Sequence, residues 1–273
     1  MTENRVVAIT GASNGMGLEA ATLFAARGWR VFAGARRVER IPQDNGIVAL
    51  PLDVTDSASN SAFVEAILAA TDGRIDVIIN NAGYGEFGPA EEIPMAEVRR
   101  QFETNFFGAV ELTQLVLPAM RKAAAGRIVN VSSIGGDIYM PLGAYYHATK
   151  AALQQWSDVL DVEVSSFGVR SVIVQPGGTE SAWGEIAMAN AEKNLREGSP
   201  YGPLVAKVKA ALARQASSSS ATSADLAQVF FRAATDPKPK SRYFNALGDR
   251  AVVKLARTTP GLLRVALSRI LKV

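Results

Sequence analysis

The stretch RVVAITGASNGMG, residues 5–17, joins an apolar run to three closely spaced glycines. The run is rich in Val and Ile and does not alternate with polar residues, which is typical of a strand buried on both faces of a parallel sheet. Glycines at 11, 15 and 17 allow the backbone to turn sharply and to lie close to a pyrophosphate at the positive end of a helix. The stretch therefore predicts a strand, a phosphate-binding turn and a helix, although its G-x-x-x-G-x-G spacing differs from the commoner G-x-G-x-x-G.

Five more apolar runs follow the first, and helical patterns separate most of them. This regular alternation predicts an α/β fold with a doubly wound, Rossmann-like parallel β-sheet flanked by helices. We find no internal repeat and no linker, so we expect one domain over residues 1–273. The predicted strands lie at 5–10, 29–35, 46–52, 75–80, 126–133 and 169–176, and the predicted helices at 16–27, 57–71, 95–123 (in one or two pieces) and 147–166.

The regular pattern ends after Pro176. Residues 180–215 carry helical signals that GSPYGP at 198–203 interrupts, and we expect them to form a helical lid over a substrate. Beyond the lid, a helix over 224–235 is predicted to be capped by Thr222 or Ser223, and a last strand is predicted within 241–247.

The end of the second predicted strand, FAGARR, indicates which dinucleotide the glycine turn would bind. A carboxylate at this position would bind the ribose 2′-hydroxyl of NAD, whereas an arginine would accommodate the 2′-phosphate of NADP. Ala35 stands where the acid would be, and Arg36 and Arg37 follow it. Since a guanidinium matches a phosphate in charge and geometry, we favour NADP(H) over NAD(H).

The stretch GAYYHATK, residues 143–150, sets two tyrosines before a lysine. Helical residues four apart share a face, so Tyr146 is predicted to face Lys150, whereas Tyr145 points elsewhere. A phenol of ordinary pKa, about 10, shuttles protons poorly at neutral pH unless a cation favours the phenolate. The spacing therefore favours Tyr146 as an acid–base group that Lys150 would tune by lowering its pKa.

Together these motifs resemble those of the short-chain dehydrogenase/reductase family over roughly residues 5–180. TGASNGMG (10–17) resembles the family's glycine loop, LDVT (52–55) its adenine-contacting turn, and NNAG (80–83) the motif that supports the coenzyme. PGG (176–178) resembles the turn near the nicotinamide. The resemblance implies coenzyme contacts from Gly11, Ser13, Asn14, Gly15, Met16, Gly17, Asp53, Val54, Asn80, Ala82, Gly83, Tyr146, Lys150, Pro176 and Gly177, and from Ser181 by spacing with Thr179 as the alternative.

The resemblance also implies a catalytic tetrad of Asn105, Ser133, Tyr146 and Lys150, in which Ser133 stands thirteen residues before the tyrosine. Tyr146 would exchange a proton with a carbonyl or alcohol oxygen, and Ser133 would donate a hydrogen bond to that oxygen. Lys150 would bind the ribose, and Asn105 would hold a water that resupplies the proton. His147 is a departure, because a small residue is more common there, and we expect it to be structural.

The substrate is expected to be a small-molecule carbonyl or alcohol, and a lipophilic one if the predicted pocket wall is correct. That wall is apolar, which suits a steroid-like, retinoid-like or acyl-chain compound, although the same residues could instead form the core of the lid. A coenzyme-binding regulatory protein on the same fold is the alternative function, but such a sensor needs no catalytic acid. The predicted wall residues are Tyr84, Phe87, Ile134, Tyr139, Met140, Tyr145, Trp183 and Met188.

Composition narrows the remaining choices. The chain has no cysteine and one histidine, which excludes disulfides and multi-histidine zinc sites. We find neither a signal peptide nor an apolar run that could span a membrane, so a cytoplasmic protein is expected. The net charge is only +3 and no nucleic-acid-reading motif is present, so we expect no nucleic-acid partner. The family resemblance implies a homodimer or homotetramer formed through the long helices.

The charge is concentrated in the C-terminal segment. From Lys238 onward nine basic residues accompany one acid, a net of +8, while the preceding residues carry 20 basic and 25 acidic side chains, a net of −5. A basic helical extension over about 250–273 is predicted, with Thr259 as a cap and an apolar face formed by Leu263, Leu267, Ile270 and Leu271. Docking on the protein's own body or on a sister subunit is favoured over contact with an anionic membrane, because core-facing helices share this periodicity.

Overall fold

The structure, a computed structural model, describes residues 5–179, 183–216, 221–261 and 264–265. Within these ranges a seven-stranded sheet has the order β3-β2-β1-β4-β5-β6-β7, and every neighbouring pair is parallel. Strands β2 and β3 lie on one side of β1, and β4 to β7 lie on the other side. The strand order therefore reverses between β1 and β4, and the carboxyl ends of these two strands flank a crevice. The strands are β1 Val6–Thr10, β2 Arg30–Ala35, β3 Ile47–Pro51, β4 Val77–Asn80, β5 Gly126–Val131, β6 Val169–Val174 and β7 Arg242–Tyr243.

Helices cover both faces of the sheet, because the strands are apolar on both sides. One core cluster joins the sheet to α1 and α8, and a second joins it to α2, α4 and α5. A π-helical turn, Glu103–Phe107, connects α3 to α4 without a break. The helices are α1 Gly15–Ala26, α2 Ser57–Ala70, α3 Met95–Phe102, α4 Gly108–Lys122, α5 Ala144–Val164, α6 Trp183–Lys193, α7 Gly202–Ala216, α8 Ser223–Thr235 and α9 Leu247–Thr258.

The predicted doubly wound sheet is confirmed, and the differences lie at the ends of elements. Helix α5 begins three residues earlier than predicted, because the His147 amide already donates to the carbonyl of Gly143 at 2.9 Å. The last strand is shorter than predicted, with only two residues. Thr222 caps α8, since its hydroxyl accepts from the Asp225 amide at 3.2 Å while the Asp225 carboxylate accepts from the Thr222 amide.

Helices α6 and α7 lie over the carboxyl edge of the sheet. A third apolar cluster packs Met188 and Val205 of these helices against Phe87 and Tyr146, so the expected lid is in contact with the site below it. Across the described ranges, no helix is both long and apolar enough to cross a membrane.

Helix α9 docks on the protein's body through buried Val253 and Ala256. Helical residues follow it at 260–261 and 264–265. Four expectations from the sequence fall outside the described residues, namely Ser181, most of the serine-rich stretch at 217–223, the predicted C-terminal apolar face, and the side chain of Trp183.

Candidate active site

The glycine turn between β1 and α1 has the geometry of a phosphate cradle. Gly11 and Gly15 have φ values of 66° and 52°, which residues with a Cβ rarely adopt. A Cβ on Gly17 would lie 2.5 Å from the carbonyl oxygen of Gly11, so this position requires glycine. Asn14 makes no side-chain cap, which leaves the first amides of α1 to a ligand. These features fit a dinucleotide pyrophosphate at the positive end of α1.

The turn after β3, residues 52–55, brings Asp53 within electrostatic reach of Arg36 at the end of β2. Burial acts to raise the pKa of Asp53, but hydrogen bonds from Thr55 and the charges of Arg36 and Arg100 bring that pKa below its ordinary value. Arg36 and Arg37 are exposed, whereas Ala35 is buried. The next residue of the turn, Val54, packs against α4.

The two asparagines of NNAG have different environments. Asn80 is buried in a polar core, where its amide donates to Asn130 Oδ1 at 2.9 Å and to Thr113 Oγ1 at 3.1 Å. Asn81 borders the cavity and donates to the Thr10 carbonyl at 2.9 Å, so it braces the glycine turn. The sequence assigned the coenzyme contact to Asn80, but Asn81 is the member of the pair whose side chain borders the cavity.

Tyr146, Ser133 and Lys150 meet at the inner end of a cavity of about 610 Å³. The Tyr146 phenol is hydrogen-bonded to Ser133. The Ser133 hydroxyl accepts from the Gly135 amide at 3.0 Å, which fixes its position at the start of a short 3₁₀ turn. Lys150 lies one helical turn after Tyr146, with its Nζ 5.9 Å from the centre of the phenol ring, as the spacing predicts.

Burial pushes both ionisable groups of this pair toward their neutral forms. It raises the pKa of Tyr146 to about 12, with the Ser133 hydrogen bond opposing the shift. It lowers the pKa of Lys150 to about 8. The pKa of Tyr146 is therefore set mainly by burial in this structure, where the Lys150 ammonium donates to the Val131 carbonyl at 2.9 Å, and the expectation that Lys150 lowers this pKa stays a prediction.

Asn105 occupies the π-helical turn and is almost fully buried. Its Oδ1 accepts from the Tyr84 amide at 2.9 Å, and its Nδ2 donates to the Tyr84 carbonyl at 2.9 Å and to Thr149 Oγ1 at 3.2 Å. A Cβ on Gly83 would lie 3.1 Å from Asn105 Oδ1 and 3.4 Å from Lys150 Nζ, so NNAG, the π turn and α5 converge at one point.

The outer part of the cavity has mainly apolar walls. Tyr145, predicted as a wall residue, is not one of them, because its hydroxyl turns away to the Ala90 carbonyl at 2.9 Å. Of the residues predicted to contact the coenzyme, those that border the cavity besides Tyr146 and Lys150 are Met16, Gly83, Pro176, Gly177 and Thr179. The predicted apolar walls that the structure confirms are Tyr84, Phe87, Ile134, Tyr139, Met140 and Met188, and it adds Ile138 and Leu212.

Several polar residues that support the site could not be identified from the sequence. Gln154 and Gln175 donate to the Ser133 carbonyl at 3.0 and 3.3 Å. Asp137, in the segment after Ser133, binds both Gln175 and Arg257 of α9. These partners are far apart in the chain, and no local spacing links them. Among the described residues, no group of acidic or histidine side chains is arranged to hold a metal ion.

Comparison with known proteins assigns the family. Residues 5–191 match the sequence profile described as short chain dehydrogenase. The chain belongs to the short-chain dehydrogenase family. This membership makes it an oxidoreductase of that family with a nicotinamide coenzyme.

Individual relatives agree with this assignment. A short-chain dehydrogenase from Streptomyces avermitilis superposes with a TM-score of 0.79 at 30% identity, covering 98% of this chain and 96% of the other. A metagenomic short-chain oxidoreductase in complex with NADP has a TM-score of 0.69 at 26% identity, covering 88% and 96%. A 3-ketodihydrosphingosine reductase from Bacteroides thetaiotaomicron is 41% identical over 175 residues, which span 63% of this chain and 63% of that protein.

Proposed function

We propose that this short-chain dehydrogenase reduces the carbonyl group of a lipophilic substrate with NADPH, or oxidises the corresponding alcohol with NADP⁺. The observation that carries the proposal is the buried phenol of Tyr146, hydrogen-bonded to Ser133 at the inner end of a mainly apolar cavity. A proton donor and a hydroxyl at one point suit a substrate oxygen that gains charge during reduction.

The groups around Tyr146 support its role as a general acid. The phenol, whose pKa is about 12, is protonated at neutral pH and holds a proton that a carbonyl oxygen could accept, but efficient transfer requires a cation beside the phenolate. Ser133 would donate a second hydrogen bond to that oxygen by turning its hydroxyl away from the Pro176 carbonyl, to which it donates at 3.4 Å, while the Gly135 amide holds the oxygen in place. Lys150, four residues from the tyrosine, would place positive charge beside the phenolate that is left. Bound NADPH would supply the hydride.

The preference for NADP(H) rests on the end of β2. Arg36 and Arg37 are exposed there, and Arg36 lies close enough to lower the pKa of Asp53 in the adenine-side turn. The chain offers no carboxylate at Ala35, where a 2′-hydroxyl would need one. The metagenomic relative in complex with NADP adds support.

The lipophilic substrate class rests on the cavity walls. Phe87 and Met188 are buried, and Ile138, Met140 and Leu212 border the same space. A cavity of about 610 Å³ is in the range of sites that enclose most of a drug-sized molecule. The relative from Bacteroides thetaiotaomicron is named as a 3-ketodihydrosphingosine reductase, which is consistent with a carbonyl substrate.

A homodimer or homotetramer is part of the proposal. Val159 and Val162 of α5 are 48% and 78% exposed, and Phe107, just before α4, is 48% exposed. Large apolar side chains on neighbouring long helices suit contact with a second copy.

The test is NADPH oxidation against a panel that runs from small aldehydes to steroid and long-chain ketones. We expect turnover to be highest with bulky apolar ketones. Coenzyme binding is measured separately by the change in NADPH fluorescence. Binding of NADPH without turnover of any panel member would contradict the reductase and favour a coenzyme-binding regulatory protein.

A further inference from the structure

His147 connects two points of the segment that forms one wall of the substrate cavity. Its Nδ1 lies 2.7 Å from the carbonyl oxygen of Gly135, and its Nε2 lies 3.2 Å from the amide nitrogen of Met140. His147 was expected from the sequence to be structural, and in the structure it also borders the cavity. The reason is that segment 134–143 folds back over the first turn of α5, so that a residue beside Tyr146 also meets it.

The two partners together specify one form of the imidazole. A carbonyl oxygen can only accept and a backbone amide can only donate. The Nδ1 must therefore carry the proton, and the Nε2 must offer its lone pair. This is the neutral Nδ1–H tautomer. A doubly protonated ring would direct an N–H at the Met140 amide and lose that contact.

The segment is built closely around the ring. A Cβ on Gly135 would lie 2.9 Å from Nδ1, and a Cβ on Gly143 would lie 2.7 Å from Nε2, so the glycines on both sides make room for the imidazole. The ring also packs against Phe87 and Tyr146, with ring centres 6.3 and 5.6 Å away.

The parts of the segment that His147 holds border the cavity or position the Ser133 hydroxyl. The Gly135 amide donates to the Ser133 hydroxyl at 3.0 Å, so the carbonyl that His147 binds belongs to the residue that positions this hydroxyl. Ile138 and Tyr139 lie between the two points of attachment and border the cavity.

We propose that His147 is a positioning residue that closes segment 135–140 into a clamped loop, so that the wall at 138–140 and the Ser133 hydroxyl are held in place for a bulky carbonyl substrate. The effect on a bulky substrate rests on the proposed reductase function. The clamped loop itself can be tested without measuring activity.

The clamp has a pH dependence with a definite sign. Burial lowers the pKa of His147 below its ordinary 6.5, and the Gly135 carbonyl opposes the shift. The ring is therefore neutral at pH 7, and the clamp is lost only as the pH falls through that lowered pKa. Charged groups on the surrounding elements do not shift the pKa of His147. These groups are Lys150 on α5, Asp137 on the segment, Glu86 beside Phe87, and Glu185 and Lys209 on the lid.

The first experiment is ¹⁵N NMR of the imidazole in the full-length chain without a histidine tag. The chain has a single histidine, so the signals need no assignment by mutation. We expect a protonated Nδ1 and an unprotonated Nε2 at pH 7, with slow hydrogen exchange at the Met140 amide. An Nε2–H tautomer, or a Met140 amide that exchanges as fast as an unbonded one, would overturn the proposal.

The second experiment compares His147→Ala, His147→Asn and His147→Gln. The shorter amide of asparagine matches the reach of Nδ1, and the longer glutamine matches that of Nε2. Protection of the Met140 amide should therefore be lost in the alanine and asparagine variants and partly kept in the glutamine variant. Equal protection in all three would contradict the clamp, whatever the activity of the enzyme.

Kinetics then separate positioning from general damage. His147→Ala should lower kcat/KM for bulky ketones by about thirtyfold, the factor that two ordinary hydrogen bonds are worth, and should affect a small aldehyde much less. The KM for NADPH should stay within about twofold, because this segment lies on the substrate side. An equal loss for all substrates together with a raised KM for NADPH would indicate a merely structural role. A wild type without turnover but with the expected tautomer would refute the reductase and leave the loop clamp standing.

Discussion

Replacing Lys150 by methionine should make the protein more stable while it abolishes turnover. Lys150 is only 5% exposed, and burial lowers its pKa from 10.5 to about 8. Each unit of such a shift corresponds to about 1.4 kcal/mol, so keeping the charge at pH 7 costs about 3 kcal/mol. The variant also loses the hydrogen bond to the Val131 carbonyl, which contributes about 1.5–3 kcal/mol because its donor is charged. The net expectation is a gain of about 1 kcal/mol in the free energy of unfolding.

The assay is thermal and urea unfolding of both proteins between pH 7 and pH 10.5. A gain of about 1 kcal/mol should raise Tm by about 2–4 °C in a chain of this length. Since the folded pKa of Lys150 lies below the unfolded one, the lysine takes up a proton on unfolding. The free-energy cost of burying the Lys150 charge therefore applies in full below about pH 8 and decreases as the pH rises toward 10.5. The stability advantage of Lys150→Met should decrease over the same range.

The exposed lysine of α9 provides the matched control. Lys254→Met should change the free energy of unfolding by less than about 0.5 kcal/mol at every pH. The reasoning is refuted if Lys150→Met is no more stable than wild type at pH 7. It is equally refuted if the advantage does not shrink between pH 8 and pH 10.5, because the gain would then come from packing and not from the buried charge.

Three further predictions concern the coenzyme and the assembly. Alanine at both Arg36 and Arg37 should raise the KM for NADPH by about tenfold or more and leave the KM for NADH within about twofold. Steady-state kinetics with both coenzymes measures this, and equal changes in the two KM values would contradict the phosphate assignment. Gly17→Ala should weaken coenzyme binding and destabilise the fold by about 1–3 kcal/mol, because its Cβ would meet a backbone oxygen. The control Gly202→Ala, in open space at the start of α7, should do neither. Equal effects of the two changes in titration calorimetry and in unfolding would be evidence against the phosphate cradle. Val162→Glu should reduce the mass measured by light scattering, and a wild type that is already a monomer would rule out the proposed oligomer.

The sequence was sufficient to predict the sheet, because the strands are continuous apolar runs and each is bounded by a turn or helix signal. It also predicted the approach of Lys150 to Tyr146 and the separate direction of Tyr145, since both follow from positions on one helix. Such features depend on residues close together in the chain, where the period of a helix or strand decides which side chains meet.

The support of the site could not be predicted in the same way. The salt bridge between Asp137 and Arg257 joins residues 120 positions apart, and periodicity shows which face is buried but not what it meets. The partners of His147 come from a loop that folds over the start of the helix, and no local spacing indicates them. The π turn at Asn105 inserts an extra residue into a helix, and its cause lies in partners on other elements.

The most direct test of the central claim compares Tyr146→Phe with Tyr145→Phe in NADPH-dependent carbonyl reduction. Both changes remove one hydroxyl from adjacent residues of the same helix, but only Tyr146 contacts Ser133 at the cavity. We predict that Tyr146→Phe binds NADPH with unchanged affinity and loses turnover by a factor of about 10² or more, while Tyr145→Phe keeps most of it. Full turnover in Tyr146→Phe, or equal loss in both variants, would contradict the assignment of Tyr146 as the general acid.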